Sequence, residues 1–337
     1  MEKPTESQVS DDKIPLSDEP SSRPKQSSTR PLLSVPLISL DAALKEGLEQ
    51  LRHQKPLHTM WPRMERLCQP TSGRFWVIGG RPGNYKTQVM WNLALDMASR
   101  QHKVLFLSLE EEPWAMSLAA SARFSQIPRD RLRAAELAGD AEFLTSAEVE
   151  TLNAAEEKLR GLEFHMRLHG ADKHGRSLNA VLRSACRSRF DAVFVDHLGM
   201  VARQGPREFD EIPKAVDSFR ALARGELAPD YRPFVCIASP LNRVREQTGD
   251  EDDLPQMSDL RGSGRIESDA DLVMILQKRK QDEESNQPDV LDGFVVKNRH
   301  GRCPVVLLFE ANGATCSITE RHSTETPPPH WQDREDS

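Results

Sequence analysis

A chain of 337 residues with a formal net charge of −7, 29% charged and 37% hydrophobic side chains has room for one α/β domain of ordinary size and little more. No run approaches the roughly twenty apolar residues a membrane helix requires, so the expected setting is cytoplasmic with no membrane partner. The acidic balance excludes a protein that coats nucleic acid by overall charge, so any such contact must be local; five scattered cysteines without a C-x-x-C pair argue against a disulfide framework or a zinc site.

Residues 1–36 run through Ser, Pro, Lys, Asp and Glu with almost no apolar spacing and read as a disordered tail, as do residues 319–337. Ser39 followed by Leu40, Leu44, Leu48 and Leu51 gives an N-cap and an apolar stripe at helical spacing, which predicts a lone amphipathic helix in a linker region, 37–59. Within an expected domain at 60–318, short apolar runs alternate with amphipathic helices from Phe75 onward, the pattern of βαβ units and a mostly parallel central sheet flanked by helices. Strands are expected at Phe75–Gly79, Lys103–Ser108, Ala192–Asp196, Phe234–Ala238, Asp271–Leu276, Gly293–Lys297 and Val305–Phe309. Thr145 with Glu148 predicts a capping box before a helix to Leu159, and Ser177 precedes a helix ending near Arg189. His165, His169 and His174 straddle a strand and a Gly-containing loop and read as surface residues, since a metal site wants its ligands on one rigid face.

The first strand runs straight into Gly80, Arg81, Pro82, Gly83, Asn84, Tyr85, Lys86 and Thr87, and a helix marked by Val89, Leu93 and Met97 follows. Strand, Gly-rich loop and helix in that order aim backbone N–H groups at a phosphate, with Lys86 reaching the outer phosphates and the Thr87 hydroxyl a Mg²⁺ ligand. Tyr85 stands where the pattern G-x-x-x-x-G-K-[ST] has its second glycine, and positive φ at a non-Gly residue costs on the order of 1 kcal/mol. Glu110 and Asp196 follow strands whose ends share an edge with this loop. Phosphoryl transfer needs one carboxylate for hydrated Mg²⁺, suiting Asp196, and one for the attacking water, suiting Glu110. Glu111 and Glu112 read as the start of a solvated loop.

Gly80-Arg81-Pro82 with Lys86-Thr87, Ser108-Leu109-Glu110, Asp196-His197-Leu198, Leu241-Asn242-Arg243, the segment Asp259 to Asp271, and Lys297-Asn298-Arg299 follow one another in the order and spacing of DnaB-like helicase C-terminal domains. The chain resembles that family from about Trp61 to Ile318. The resemblance implies a RecA-like P-loop NTPase acting in DNA replication: an ATPase forming a homo-oligomeric ring, usually a hexamer, with ATP and Mg²⁺ at each subunit boundary and single-stranded DNA in the pore. It makes Glu110 the catalytic glutamate, Asp196 the Walker B aspartate, and Lys297 and Arg299 a trans-acting finger for the neighbour's γ-phosphate; spacing alone makes this pair a polar strand end. Asp259 to Asp271 resembles the family's DNA-loop motif, with Arg261, Gly262, Ser263 and Gly264 in a loop suited to backbone contact with a phosphate chain.

Two further departures stand beside Tyr85. Gly199 and Pro240 occupy positions where the family's Asp-Tyr-Leu-Gln and Ser-Gln-Leu have glutamines, which puts coupling between hydrolysis and movement in question more than hydrolysis itself. They keep open a nucleotide-binding ring or adaptor with weak or no ATPase; a RecA-like recombination or regulatory ATPase fits the P-loop but not the 259–271 segment. A helical N-terminal domain would not fit before residue 60, which suggests a motor-only protein of a plasmid, phage or integrated element. No loader or primase partner is legible.

Overall fold

Several strands are buried at every position because the sheet they form is covered on both faces. The computed structural model describes residues 39–108, 110–139, 143–168, 178–197, 208–241, 254–260, 263–279 and 287–321. The chain divides into two units, Met1–Leu51 and Arg52–Ser337. In the first, helix α1 (Leu40–Arg52) buries none of its residues, and Lys45 pairs with Asp41 one turn away at 2.8 Å.

The second unit begins with α2 (Pro62–Cys68), β1 (Phe75–Gly80), α3 (Lys86–Ser99), β2 (Val104–Ser108), α4 (Pro113–Ser125), α5 (Arg129–Ala138) and α6 (Ser146–Arg160). It continues through β3 (Phe164–Leu168), α7 (Leu178–Ser188), β4 (Ala192–Asp196), α8 (Glu208–Arg224), β5 (Phe234–Pro240) and a 3₁₀ turn at Met257–Asp259. It closes with α9 (Ser263–Asp269), β6 (Leu272–Lys278), β7 (Asp289–Asn298), β8 (Val305–Asn312) and β9 (Ser317–Glu320). The sheet order is β3-β2-β4-β5-β1-β6-β7-β8-β9. Neighbours from β3 to β6 run parallel, and β7, β8 and β9 add an antiparallel meander.

Alternate residues of the parallel strands serve different cores. Trp76, Ile78, Phe106, Phe194 and Phe234 pack with α3, while Phe75, Val77, Leu105, Val193 and Val235 pack with α7 and α8. Trp91 of α3 meets Phe106 edge-on at 5.0 Å, and Trp76 meets Phe234 at the same separation. At the N-terminus of α6 the expected capping box forms: the Glu148 N–H donates to the Thr145 hydroxyl at 3.3 Å, and the Glu148 carboxylate accepts from the Thr145 N–H at 2.8 Å. Thr145→Ala is therefore expected to cost about 1 kcal/mol of stability, read from chemical unfolding; an unchanged midpoint would mean the cap contributes nothing.

All seven expected strands form, several with ends displaced by one to four residues. Two edge strands join them: β3, hinted at only by the placing of His165, and β9. Packing also passes both expected domain boundaries. Leu57 and Thr59 are buried, and the Glu320 carboxylate accepts from the Arg63 and Met64 N–H groups, 2.8 Å each, tying β9 to the start of α2. The reason is that α2 has no side-chain N-cap of its own, so its exposed N–H groups take a carboxylate from the chain's other end. Apart from residues 319–321, both expected tails lie outside the described residues, as do His169 and His174. Among the described residues no group of His, Cys, Asp and Glu is placed to hold a metal by itself, and no helix is long and apolar enough to cross a membrane.

Candidate active site

The parallel register places the ends of β1, β2, β4, β5 and β6 on one edge: Ser108 lies beside Asp196, and Gly80 lies between Pro240 and Leu276. The turn from β1 into α3 therefore opens at the edge where the acids stand. The intrahelical ladder of α3 starts with the Val89 N–H donating to Tyr85 O at 2.8 Å, so the N–H groups before it point out of the helix end, where a phosphate is favoured. Gly83 sits at φ +81, a conformation that excludes other residues without strain, and Asn84 Nδ2 ties the loop to Leu276 O at 3.0 Å. Lys86 Nζ curls back to Arg81 O at 2.8 Å. A Cβ at Gly79 would stand 2.3 Å from Leu260 Cδ2, so any side chain there would displace the buried Leu260.

Tyr85 adopts the left-handed conformation of the missing glycine, φ 57 and ψ 21. Its side chain is held by a hydrogen bond from its hydroxyl to the Asp289 carboxylate of β7, which Lys278 Nζ also contacts at 2.8 Å. Burial, then the Asp289 bond, pushes the phenol further above its usual range, so it stays a donor. The structure thus supplies an anchor for the residue that breaks the motif. Tyr85→Phe is expected to lower stability by about 1 kcal/mol while nucleotide affinity stays within a few fold, measured by thermal unfolding and by titration with a fluorescent ATP analogue. A steep loss of affinity with unchanged stability would mean that the hydroxyl serves the nucleotide instead.

Asp196 ends β4 only 2% exposed. The Thr87 hydroxyl hydrogen-bonds its carboxylate, and Lys86, Glu110 and His197 are close enough to act on its charge. Burial raises this carboxyl above the usual range despite the Thr87 bond and the nearby cations. Its Oδ2 has no hydrogen-bond partner. A buried carboxylate with an unmet oxygen, beside a threonine hydroxyl and a lysine, suits the hard oxygen coordination of Mg²⁺. Glu110 is exposed at the same edge, and His197 Nε2 lies 3.2 Å from its Oε1. His197 was given no role by sequence reasoning; its position directly after the strand-ending Asp196 was the available signal, but its contact depends on β2 and β4 being neighbours.

The structure brings Gly80, Thr87, Lys86, Asp196 and Glu110 together, and keeps Lys297 and Arg299 away. The Arg299 N–H bonds Asp271 O and the Asp271 N–H bonds Phe75 O, which puts Arg299 at the opposite end of β1 from the phosphate loop, roughly 17 Å away along the strand. Lys297 Nζ donates to Glu267 O, and Arg299 Nη2 donates to Ser268 O at 2.6 Å. Burial, then Arg299, holds the Lys297 amine below the usual lysine range. Ser263 and Gly264, expected in a loop, instead form the first turn of α9, because Ile266 buries fully in the core and pulls the segment into a helix. Open space surrounds Gly264 where a Cβ would stand. Arg261, Gly262 and Gly199 lie outside the described residues. Pro240 sits in register beside Gly80 with no donor to offer.

Residues 57–315 match the model of the DnaB-like helicase C terminal domain. The chain is 30% identical over 236 residues to a protein described as a probable plasmid replicative DNA helicase of Chlamydia psittaci, covering 68% of this chain and 48% of the relative. It is 28% identical over 244 residues to the replicative DNA helicase DnaB of Treponema pallidum, covering 70% and 50%. The chain thus spans about half the length of the curated relatives it matches. A solved ATPase domain superposes with a TM-score of 0.68 at 20% identity, over 84% of this chain and 99% of that one. A DnaB-like replicative helicase solved in a study of its interactions with primase gives 0.68 at 21%, over 83% and 68%.

Proposed function

The chain belongs to the DnaB-like helicase C-terminal domain family, and from that premise we propose that it is an ATP-driven motor that moves along single-stranded DNA during replication, in a ring of identical subunits. The observation that carries this reading is the split of the chemistry between two edges of one sheet. Lys86, Thr87, Asp196 and Glu110 gather at one edge, and Lys297 and Arg299 stand at the other. Acting as a finger at that distance from its own phosphate loop, Arg299 would serve another subunit. Head-to-tail contacts that present one edge to the next close into a ring when the rotation between neighbours closes.

Thr87 and Asp196 would hold a Mg²⁺, which when bound neutralises charge between the outer phosphates. Lys86 binds the outer phosphates as a point charge. Glu110 orients the attacking water and accepts its proton, and His197 is a positioning residue that holds the carboxylate toward the site. Arg299 of one subunit, assisted by Lys297, offsets charge developing on the neighbour's γ-phosphate. The relatives described as plasmid replicative helicases favour replication of a plasmid or other mobile element as the setting.

Pro240 favours a second reading, a ring that binds ATP and recruits replication proteins with little turnover, since it cannot report the state of the phosphate through a side-chain donor. Steady-state ATPase with and without single-stranded DNA separates the two. The motor reading expects DNA to stimulate turnover and Lys86→Ala to abolish it. ATP binding with negligible turnover under both conditions would leave the adaptor reading standing.

A further inference from the structure

The stretch that holds α9 starts with Leu260 at one edge of the sheet and ends with Asp271 at the other. Before its start, Leu260 packs over Gly79 beside the phosphate loop and pairs with Leu241 at the end of β5. At its far end lie Glu267 O and Ser268 O, two of the last four carbonyls, which a helix cannot satisfy internally. Lys297 Nζ and Arg299 Nη2 take both. Cations are favoured at a helix C-terminus for this reason and by the helix dipole.

Asp271 holds Arg299 as well. It is 1% exposed; its Oδ2 accepts the Phe75 N–H at 2.9 Å, and its Oδ1 faces Arg224 at 2.5 Å, His300 at 3.3 Å and Arg299 at 3.6 Å. Its carbonyl accepts the Arg299 N–H at 2.8 Å, so one residue holds both the backbone and the guanidinium of Arg299. Meanwhile α9 is fastened to α8 by Arg265 to Asp217 at 2.9 Å and by Arg220 to Asp269 at 3.9 Å.

We propose that Asp271 and the terminal carbonyls of α9 form a latch that holds Lys297 and Arg299, so that a finger reaching across the subunit boundary must release the helix following the DNA loop of its own subunit. The proposal rests on reading Arg299 as a trans finger and the segment before α9 as a DNA contact. Its consequence is that DNA held by one subunit and ATP held by its neighbour compete for or share one element. Coupling of this kind acts equally in both directions on binding. It also offers a route between nucleotide and DNA that bypasses position 240.

The test is Asp271→Asn, which keeps the shape of the residue and removes its charge. In the full chain, DNA stimulation of ATP turnover is expected to fall by about tenfold, with KM for ATP changed by no more than about twofold. A second measurement covers a variant that fails to fold: hydrogen exchange of residues 263–270, with single-stranded DNA present and with or without a non-hydrolysable ATP analogue. Exchange is expected to respond to the analogue in the wild type and not in Arg299→Ala. Full DNA stimulation in folded Asp271→Asn, or an equal exchange response in Arg299→Ala, overturns the latch. Failure of the underlying reading looks different: Arg299→Ala would then turn ATP over as fast as the wild type.

Discussion

Replacing Arg299 by alanine is expected to lower DNA-stimulated ATP turnover by about a thousandfold while the affinity for ATP stays nearly unchanged. The separation of effects follows from geometry. Arg299 lies at the Phe75 end of β1, and the phosphate loop lies at the Gly80 end, so the guanidinium takes no part in how its own subunit holds nucleotide. On the proposed reading its contribution is to the transition state of the neighbour, where charge grows on the transferred phosphoryl group, and an interaction confined to the transition state appears in kcat. Lys297→Ala is expected to show the same pattern at smaller size, because Lys297 is a point charge without the planar fork of arginine. The checks are single-turnover kinetics and equilibrium titration with a labelled ATP analogue. A proportionate loss of ATP affinity in Arg299→Ala would place the residue in its own subunit's site and contradict the split.

The second large effect belongs to Asp196. Its carboxyl titrates above its unfolded value because it is buried, so the stability linked to it is complete below the unfolded pKa and is lost as pH rises through the folded one. Without a metal, holding this buried carboxyl in its charged form is costly, and its Oδ2 has no hydrogen-bond partner. Asp196→Asn is therefore expected to raise the stability of the metal-free protein by about 1–3 kcal/mol and to lower ATP turnover by about a hundredfold. The first effect is read as a shift of thermal unfolding in a chelator, the second by steady-state assay with Mg²⁺. A variant that is both less stable without metal and fully active would remove Asp196 from the metal's ligand set. Added Mg²⁺ with nucleotide is expected to stabilise the wild type more than the variant, since the ligand acts only where its oxygen remains.

The residues that made the fold legible are those covered on both faces. Val77, Phe106, Phe194 and Ile237 sit in runs with no polar interruption, and such runs between helices leave few alternatives to a parallel sheet. The strands less legible are the two at the edges. β3 mixes His165 and Arg167 into its five residues, and β9 is the four-residue stretch Ser-Ile-Thr-Glu, so neither forms an apolar run. Glycine pairs usually mark a loop, yet at Gly264 burial of Ile266 outweighs the helix penalty of a single glycine.

In the site, Lys86, Thr87, Glu110 and Asp196 were legible because each follows the end of a strand or its loop, and parallel strands deliver those ends to one edge. His197, Asp271 and the carbonyls of Glu267 and Ser268 were not. Their importance comes from which strands are neighbours and from backbone oxygens, and a backbone oxygen leaves no mark in a sequence. Tyr85 shows the converse. Its identity argued against a working loop, and the structure supplies what sequence could not, an Asp289 across the sheet edge that holds the ring.

Mixing two inactive variants tests the shared site most directly. Lys86→Ala has no working phosphate loop but keeps Arg299, and Arg299→Ala has the reverse defect. Exchanged into common rings, they are expected to recover ATP turnover at the boundaries where an intact loop faces an intact finger. Mixed rings as inactive as either parent, with exchange of subunits verified, would mean that no guanidinium crosses between subunits.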